Sequence, residues 1–356
     1  MPPDDSAPAA DPTHRAWRAV EVLHHALLTG LILGTVTRCG EETAAELVFR
    51  TFRSQQQALF LPGLAKLGLR GLPDAVACAQ YHTLSNAMGG VKVEYAYESD
   101  RKAWVRYPPP RWIWAGTAAC AVPSAVSAAM LRGWHAHNGV SLGNPRLGFV
   151  CTGQTVDGHP GLEGYYLEHD HDLAPAERLR FSPGEAAPPY DPAAMPRPPA
   201  ADWPPERLRK ALRNYALAYV RTILPIVVEL PPATPGAGVP ADVAGAVARI
   251  VGMQYRDETA ALLDVRGDDA AAFADYLARL LAAQGEAVER GNERGAPVVR
   301  LRGWRLLGDA PRAGACFRVW NALWEGALAV HNRALRLQSD ARLDAAEPAV
   351  TWRVLG

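Results

Sequence analysis

Histidine is concentrated in the first half of this chain, where nine of the ten histidines precede residue 172. His135 and His137 lie in the stretch "GWHAHNGVSLGNPRLGFVCTG" (133–153), which also contains Asn138 and Cys151. An imidazole transfers protons near neutral pH and binds divalent metal ions, and a thiolate is a strong nucleophile. The stretch therefore predicts a site in which His135, His137 and Cys151 are the candidate catalytic residues.

The spacing of the two histidines separates their roles. Residues two apart on a helix point about 200° away from each other, so one of the pair is predicted to be core and the other functional. The His137–Asn138 pair recurs at 331–332, in a stretch with few other polar groups, so both a structural helix-end role and a functional role stay open for His137. Ala329 stands where the repeat would match His135, which makes His135 the better catalytic candidate.

Cys151 is one of five scattered cysteines, and the chain has no CxxC pair. Reduced thiols in the cytoplasm are the expectation for such a chain. A nucleophilic Cys151 needs a neighbouring base, which His135 or His159 would supply only if the fold brings them together.

A second histidine pair lies in "EHDHD" (168–172). On a strand, His169 and His171 point to the same face, and a His-x-His pair is a frequent start of a metal site that takes its third ligand from elsewhere. One divalent metal ion is therefore a candidate cofactor. The alternative is a charged, solvated strand end.

Arginine and tryptophan mark a third region, "YESDRKAWVRYPPPRWIW" (97–114). Arg106 and Arg111 flank a run of three prolines, and Trp112 follows at once. An arginine fork matches a carboxylate and an aromatic ring stacks on a flat ligand, so these residues predict binding of a small, planar, acidic molecule. A hairpin with solvated charges is the alternative.

Polar groups that could orient a substrate follow the histidine pair. Asn138-Gly139 is a helix-ending signal and Asn144-Pro145 is a turn, so the chain is predicted to form a lip between helix and strand. Asn138, Asn144 and Arg146 are the candidate substrate-binding residues there.

The periodicity of apolar residues predicts the helices and strands that position these side chains. Apolar residues at helical spacing predict helices over 16–38, 39–60, 72–90, 123–140, 206–230, 244–267, 268–291 and 317–338. Alternation predicts two strands over 91–110 with a turn at Ser99-Asp100, a hairpin over 146–170, and strands over 296–308 and 348–356. This mixture predicts an α+β fold.

The order of elements repeats, which predicts a tandem duplication of a helix-plus-small-antiparallel-sheet domain. The first copy, 16–172, bears the site, and the second, 206–356, is degenerate and structural. Residues 1–15 are predicted to be disordered, and the proline-rich segment 173–205 is a linker or an arm. The second copy keeps tryptophans suited to core or interface packing: Trp304, Trp320, Trp324 and Trp352.

Composition excludes several classes of function. The formal net charge is zero, which argues against nucleic acid as a partner. The chain has no Walker loop, GxGxxG, GxSxG or HExxH motif, so no nucleotide cofactor is expected. The apolar stretch 19–37 contains Glu21 and two histidines, which favours a buried helix over a membrane span. We expect a soluble, cytoplasmic protein, and a homo-oligomer built on the tryptophan-rich half stays open.

Part of the first half resembles the L-2-amino-thiazoline-4-carboxylate hydrolase family. The resemblance covers about residues 90–165 and rests on an acidic strand, a helix, an Asn-Pro turn and a threonine-bearing strand. The matching residues are Glu98, Asn144, Pro145, Thr152 and Gly158. The small ligand-binding domains of the four-vinyl-reductase type are similar in the same region, and some of those bind without catalysis.

The resemblance implies hydrolytic ring opening, or removal of a heteroatom, on a small sulfur- or nitrogen-containing ring that bears a carboxylate. Arg106 or Arg111 would then hold the carboxylate. His135 would activate water, alone or through a metal held with His169 and His171. Asn138 and Asn144 would orient the ring or stabilise developing oxyanion charge. The alternative is a sensor or accessory subunit that binds a small molecule without turnover.

Overall fold

The computed structural model describes residues 11–110, 113–197, 202–232, 238–310, 312–343 and 348–356. Within these ranges the chain forms α-helices and two small sheets, which confirms the predicted α+β class. Arg111 and Trp112, both predicted to bind substrate, lie outside the described residues, as do residues 1–10.

The predicted helices are present and begin within four residues of their predicted starts, but several end five to seven residues away from their predicted ends. The helices are α1 Pro12–Cys39, α2 Glu41–Lys66, α3 Asp74–Met88, α4 Ser124–Gly133, α5 Asn138–Leu142, α6 Pro205–Glu229, α7 Pro240–Leu262, α8 Ala270–Gln284 and α9 Ala313–His331. Because Asp11 caps the first turn by accepting from the Thr13 amide, α1 starts four residues before the apolar pattern does.

The strands are β1 Glu94–Ser99, β2 Lys102–Tyr107, β3 Leu147–Gly153, β4 Leu162–Glu168, β5 Leu179–Phe181, β6 Val288–Glu293, β7 Ala296–Arg302, β8 Arg336–Arg342 and β9 Ala349–Leu355. The sequence predicted helix where β6 and β8 begin. Gly285, with a φ of 95°, ends α8 early, and the extended Asn332 ends α9. Both missed strands are largely exposed and polar, so they carry no alternating apolar signal.

The chain divides into two compact units. The middle unit is Glu41–Leu208. The split unit combines the described residues of Met1–Gly40 with Arg209–Gly356. The first helix therefore belongs with the second half of the chain, because α1 packs along α7. In that contact Gly30 and Gly34 of α1 face Val251 and Val247 of α7. Because glycine has no side chain, the two helices can approach closely there.

The sheet of the middle unit has the order β1-β2-β4-β3-β5. The β1–β2 hairpin turns at Ser99–Lys102, as predicted, and β3 pairs antiparallel with β4. Every residue of β3 is buried, so this strand lies at the centre of the unit. The proline-rich segment contributes β5, which runs parallel to β3 and covers its outer edge.

The sheet of the split unit has the order β6-β7-β9-β8 and is antiparallel throughout. Its core contains Trp320, Trp324 and Trp352, which are completely buried. The indole of Trp352 donates a 2.8 Å hydrogen bond to Asn321 of α9, which anchors that helix to the sheet. These tryptophans therefore have the core role that the sequence predicted for them.

The two halves of the chain share an element order of three helices, two strands, helical segments and two strands. Both sheets place their first four strands in the order first, second, fourth, third. Asn144 accepts from the Arg146 amide just before β3, and Asn332 accepts in the same way from Ala334 just before β8. Local geometry thus pairs Asn332 with Asn144, whereas the sequence match paired it with Asn138. The duplication itself stays a hypothesis.

One described helix, α1, is long and apolar enough to cross a membrane by length and composition. Just over half of its most apolar window is buried inside the structure. This burial is typical of a core helix, and cytoplasmic location stays a prediction.

Candidate functional site

The stretch that the sequence singled out begins where α4 stops. A Cβ atom on Gly133 would lie 2.6 Å from the carbonyl oxygen of Phe49 in α2, so only glycine permits this crossing. After Trp134 the chain makes one turn of 3-10 helix over His135–His137 and continues into α5. This interruption of the helix turns His135 and Asn138 into the interior, where both are buried.

His135 and Asn138 belong to a buried polar cluster. Its members are Gln56, His82, Tyr107, His135, Asn138 and Tyr166. The rings of His82 and His135 stack with centroids 4.1 Å apart and planes 11° apart. Tyr107 and His135 share a hydrogen bond of 3.2 Å between the hydroxyl and Nε2.

Asn138 is the centre of this cluster and is 0% exposed. Its Nδ2 donates to the Tyr166 hydroxyl at 2.8 Å and to His82 Nε2 at 3.2 Å. Its Oδ1 accepts from Gln56 Nε2 at 3.2 Å. Because an amide nitrogen only donates, His82 carries its proton on Nδ1. Asn138 therefore ties α2, α3 and β4 together, and its two amide hydrogens are both used.

Burial keeps two members of the cluster, His82 and Tyr166, uncharged at pH 7. Desolvation lowers the pKa of His82 to about 3 and raises the pKa of Tyr166 well above its ordinary value. A neutral His82 is also what the hydrogen bond from Asn138 requires. The cluster thus fits an uncharged, hydrogen-bonded core better than a reservoir of charge.

His137 lies at the edge of the cluster and is half-buried. Its Nδ1 makes a 2.8 Å hydrogen bond to the Arg132 carbonyl near the end of α4. Burial lowers the pKa of His137. This contact matches the structural helix-end role considered for it, while its catalytic role stays a prediction.

Cys151 is buried in the middle of β3. Desolvation raises the pKa of its thiol to about 12, and the sulfur lies 3.5 Å from the Gly153 carbonyl oxygen, to which it donates. A thiol with such a pKa is protonated at neutral pH, so in this geometry Cys151 does not supply a thiolate.

The predicted substrate-binding groups on the surface contact carboxylates of this same chain. Asn144 donates to Asp74 at 2.8 Å and to Glu168 at 3.1 Å, and Arg146 pairs with Glu168 at 2.8 Å. Arg106 donates from Nε to Glu94 at 2.6 Å. Both arginines are thus already paired with carboxylates of this chain, and a ligand carboxylate would compete with Glu94 or Glu168 for them.

β4 ends at Glu168, so His169 and His171 lie in the bend after the strand and not on the strand face that the sequence predicted; their ring centroids are 5.6 Å apart. His171 is exposed and His169 is half-buried. Over the part of the chain that the structure describes, no group of three or more His, Cys, Asp or Glu side chains could hold a metal ion. A divalent metal at this pair stays a prediction.

The middle unit also contains a cavity of about 240 Å³, which the sequence marked only in part. It lies between the chain after β2, the start of α4 and the loop that joins β3 to β4. Its lining residues are Pro109, Pro110, Ile113, Trp114, Gly116, Ala119, Ser127, Thr155, Val156 and Leu162. The proline and tryptophan residues fall in or beside the stretch 97–114, which the sequence did single out, but Thr155 and Val156 carried no signal.

The cavity and the buried polar cluster share their elements. Leu162 of the cavity wall is the register partner of Tyr107 in the β2–β4 ladder. Ser127 of the wall and His135 of the cluster both come from the α4 segment. The lining residues named above include no charged side chain; Ser127 and Thr155 supply hydroxyl groups.

No protein-family model, no curated protein and no solved structure matches this chain. The resemblance to the L-2-amino-thiazoline-4-carboxylate hydrolase family and to four-vinyl-reductase-type domains therefore stays a prediction.

Proposed function

We propose that the middle unit is a small-molecule-binding module that takes a neutral, largely apolar ligand in its cavity. The cavity itself carries the proposal. Its volume of about 240 Å³ exceeds the roughly 150 Å³ that suffices to bind benzene in an engineered protein core. A ligand of on the order of ten heavy atoms fits such a space.

The apolar wall of the cavity disfavours a charged ligand. A carboxylate or ammonium group placed between Trp114, Ile113 and Leu162 would lose its hydration and find no opposite charge among those lining residues that the structure describes. An aromatic or alicyclic molecule gains instead, because each Å² of apolar surface that it buries contributes about 25 cal/mol.

The surroundings favour binding over turnover. Within the buried polar cluster His82 and Tyr166 are uncharged and hydrogen-bonded to Asn138, and Cys151 is a protonated thiol. Hydrolysis of a small heterocyclic substrate, with His135 as the water-activating residue, stays the alternative proposal. It is tested by looking for product in the same incubations.

The test is calorimetric titration of the full chain with toluene and with indole. For ligands of seven to nine heavy atoms we expect a Kd on the order of 0.1–1 mM. Ala119→Phe fills the cavity and should abolish binding. Ala115→Phe is the matched control, because Ala115 is exposed in the same segment and is not part of the wall. Equal affinity in the two variants would contradict the proposal.

A further inference from the structure

A groove in the split unit carries an excess of positive charge. It lies between α7, the end of α9 and the start of β8, and its volume is about 320 Å³. Its charged lining residues are Arg249, Glu325, Arg333 and Arg336. We infer that this arginine groove binds a small organic molecule that carries two carboxylates on an apolar skeleton. Every lining residue belongs to the split unit, so this ligand is separate from the one proposed for the middle unit.

The one carboxylate among the described lining residues, Glu325, is already engaged. Its Oε1 accepts from Asn321 Nδ2 at 2.9 Å, and its Oε2 lies 3.5 Å from Arg249 Nη1. Arg333 and Arg336 form no ion pair and no side-chain hydrogen bond with any residue that the structure describes. Two guanidinium groups therefore face a concave site without an acidic partner among the described residues, and such a site attracts anions.

The crossing of α7 and α9 explains why Glu325 pairs with Arg249. A Cβ on Gly326 would lie 2.0 Å from the Arg249 carbonyl oxygen, so the backbones of the two helices touch at this point. Glu325 directly precedes Gly326 in the chain, and its side chain meets the arginine of the opposite helix. The close crossing thus fixes this pair at one side of the groove.

The turn after α9 fixes the backbone of the other two arginines. Asn332 Nδ2 donates to the Asp268 carbonyl, and Asn332 Oδ1 accepts from the Ala334 amide, each at 2.9 Å. Arg333 lies inside this turn, and Arg336 begins β8, which pairs along its length with β9. Because the backbone is held on both sides, a ligand has to order only the two side chains, which lowers the cost of binding.

The apolar surface of the groove selects an organic anion over an inorganic one. Four of the lining residues are apolar, and two of them, Leu335 and Leu337, are only half-buried. A hydrocarbon skeleton that covers these leucines removes apolar surface from water, which is favourable. An inorganic anion makes no such gain.

The placement of the arginines favours two carboxylates over one doubly charged phosphate. The planar fork of an arginine donates two parallel hydrogen bonds to a single carboxylate. Arg333 belongs to the turn and Arg336 to the strand, so each presents a separate fork. A dicarboxylate of on the order of ten heavy atoms fits the groove.

The test is calorimetric titration of the full chain at pH 8 and low salt with isophthalate, benzoate and phenyl phosphate. Isophthalate carries two carboxylates and benzoate carries one on the same ring, while phenyl phosphate concentrates two charges on one group. We expect isophthalate to bind about tenfold more tightly than benzoate, because its second carboxylate meets a second arginine. Absence of isophthalate binding, equal affinity for benzoate or tighter binding of phenyl phosphate would overturn the inference.

Arginine variants locate the binding. Arg333→Gln and Arg336→Gln should each weaken isophthalate binding about tenfold. Arg342→Gln is the matched control, because Arg342 is exposed on the same strand and does not line the groove. The control removes the same charge and should leave the affinity unchanged. An equal loss in all three variants would mean that isophthalate responds only to the net charge of the protein, and the site would be wrong.

Glu325→Gln provides a test by gain of affinity. The change removes a negative charge from the groove and keeps an oxygen that can accept from Asn321. Isophthalate should then bind about threefold more tightly, because a like charge no longer repels it. Unchanged or weaker binding would contradict the electrostatic basis of the site.

Thermal melts without ligand separate binding from folding. Arg333 and Arg336 are exposed, so their glutamine variants should melt at the Tm of the original protein. A large fall in Tm in either variant would show that the arginine supports the fold, which would overturn its assignment to a ligand.

Discussion

At the residue scale, Asn138 and His82 share a hydrogen bond inside the middle unit, and neither is more than 3% exposed. The side chains that looked most reactive in the sequence are thus held by neighbours of the same chain. A buried asparagine that uses both amide hydrogens is hard to replace, because each lost bond leaves a polar group unsatisfied. Residue type alone could not distinguish this structural role of Asn138 from a role in orienting a substrate.

Cys151 allows a direct test at the residue scale. Of the five cysteines, Cys120 is exposed and the other four are buried. With iodoacetamide at pH 8 we expect one rapid adduct, on Cys120, and slow reaction elsewhere, because burial raises the pKa of Cys151 to about 12. Intact-mass spectrometry counts the adducts, and Cys120→Ser should remove the rapid one. A rapid adduct mapped to Cys151 would instead support a nucleophilic thiolate.

At the scale of elements, glycine sets how closely helices cross. In the split unit, a Cβ on Gly252 of α7 would overlap the Leu323 carbonyl of α9, and a Cβ on Gly326 of α9 would overlap the Arg249 carbonyl. In the middle unit, Gly133 of α4 meets the Phe49 carbonyl in the same way. The crossing at Gly133 fixes where the polar segment that follows it enters the core of the middle unit.

A pair of substitutions in α7 tests the importance of this close approach. Gly252→Ala should destabilise the protein by about 1–3 kcal/mol, because overpacking forces the helices apart. Gly245→Ala is the control, since nothing lies within 4 Å of its Cβ position. Gly245→Ala should stabilise the protein by up to about 1 kcal/mol, because alanine has a higher helix propensity than glycine. Urea unfolding measures both, and equal effects would show that the crossing tolerates a methyl group.

At the scale of the whole molecule, each unit buries a neutral histidine. His24 lies in α1 of the split unit with Nδ1 bonded to the Val20 carbonyl, and His82 lies in the middle unit. Desolvation lowers the pKa of His24 to about 4 and the pKa of His82 to about 3, from an ordinary value of 6.5. Acid should therefore destabilise both units.

The expected pH dependence follows from proton uptake. Above about pH 6.5 both the folded and the unfolded chain carry these histidines neutral, so the stabilisation from neutral burial is complete. As the pH falls below 6.5, the unfolded chain binds protons that the folded chain cannot, and stability falls until the folded pKa is reached. Between pH 7 and pH 5, each of the two histidines should lower the free energy of unfolding by about 2 kcal/mol.

Urea unfolding at pH 7, 6 and 5 measures this slope. His82→Gln keeps an acceptor for Asn138 but removes the titrating ring, so it should reduce the loss of stability between pH 7 and pH 5. His24→Gln should do the same independently. An unchanged slope in both variants would show that other groups govern the acid sensitivity.

The sequence could predict local structure, but not which distant residues of the chain contact each other. Helical and strand periods placed α2, α3 and the β1–β2 hairpin, because those elements are specified by residues near one another in the chain. The polar, exposed strands β6 and β8 escaped prediction because pairing with a neighbouring strand, not an apolar pattern, holds them in place. The same limit applies to the site. The sequence identified His135 as a candidate catalytic residue, but it could not predict that His135 stacks on His82, which is 53 residues away in the chain.

Composition and period by themselves determined the α+β class and the absence of the familiar nucleotide-binding motifs, and they left core and interface roles open for the tryptophans. Only the tertiary structure decided that α1 joins the second half of the chain, and that Asn144 and Asn332 each accept from the amide two residues further on. It also decided that the wall residues Pro109, Thr155 and Leu162 enclose a cavity. The physical reason is distance along the chain, because a cavity and a buried hydrogen bond depend on groups that only folding brings together.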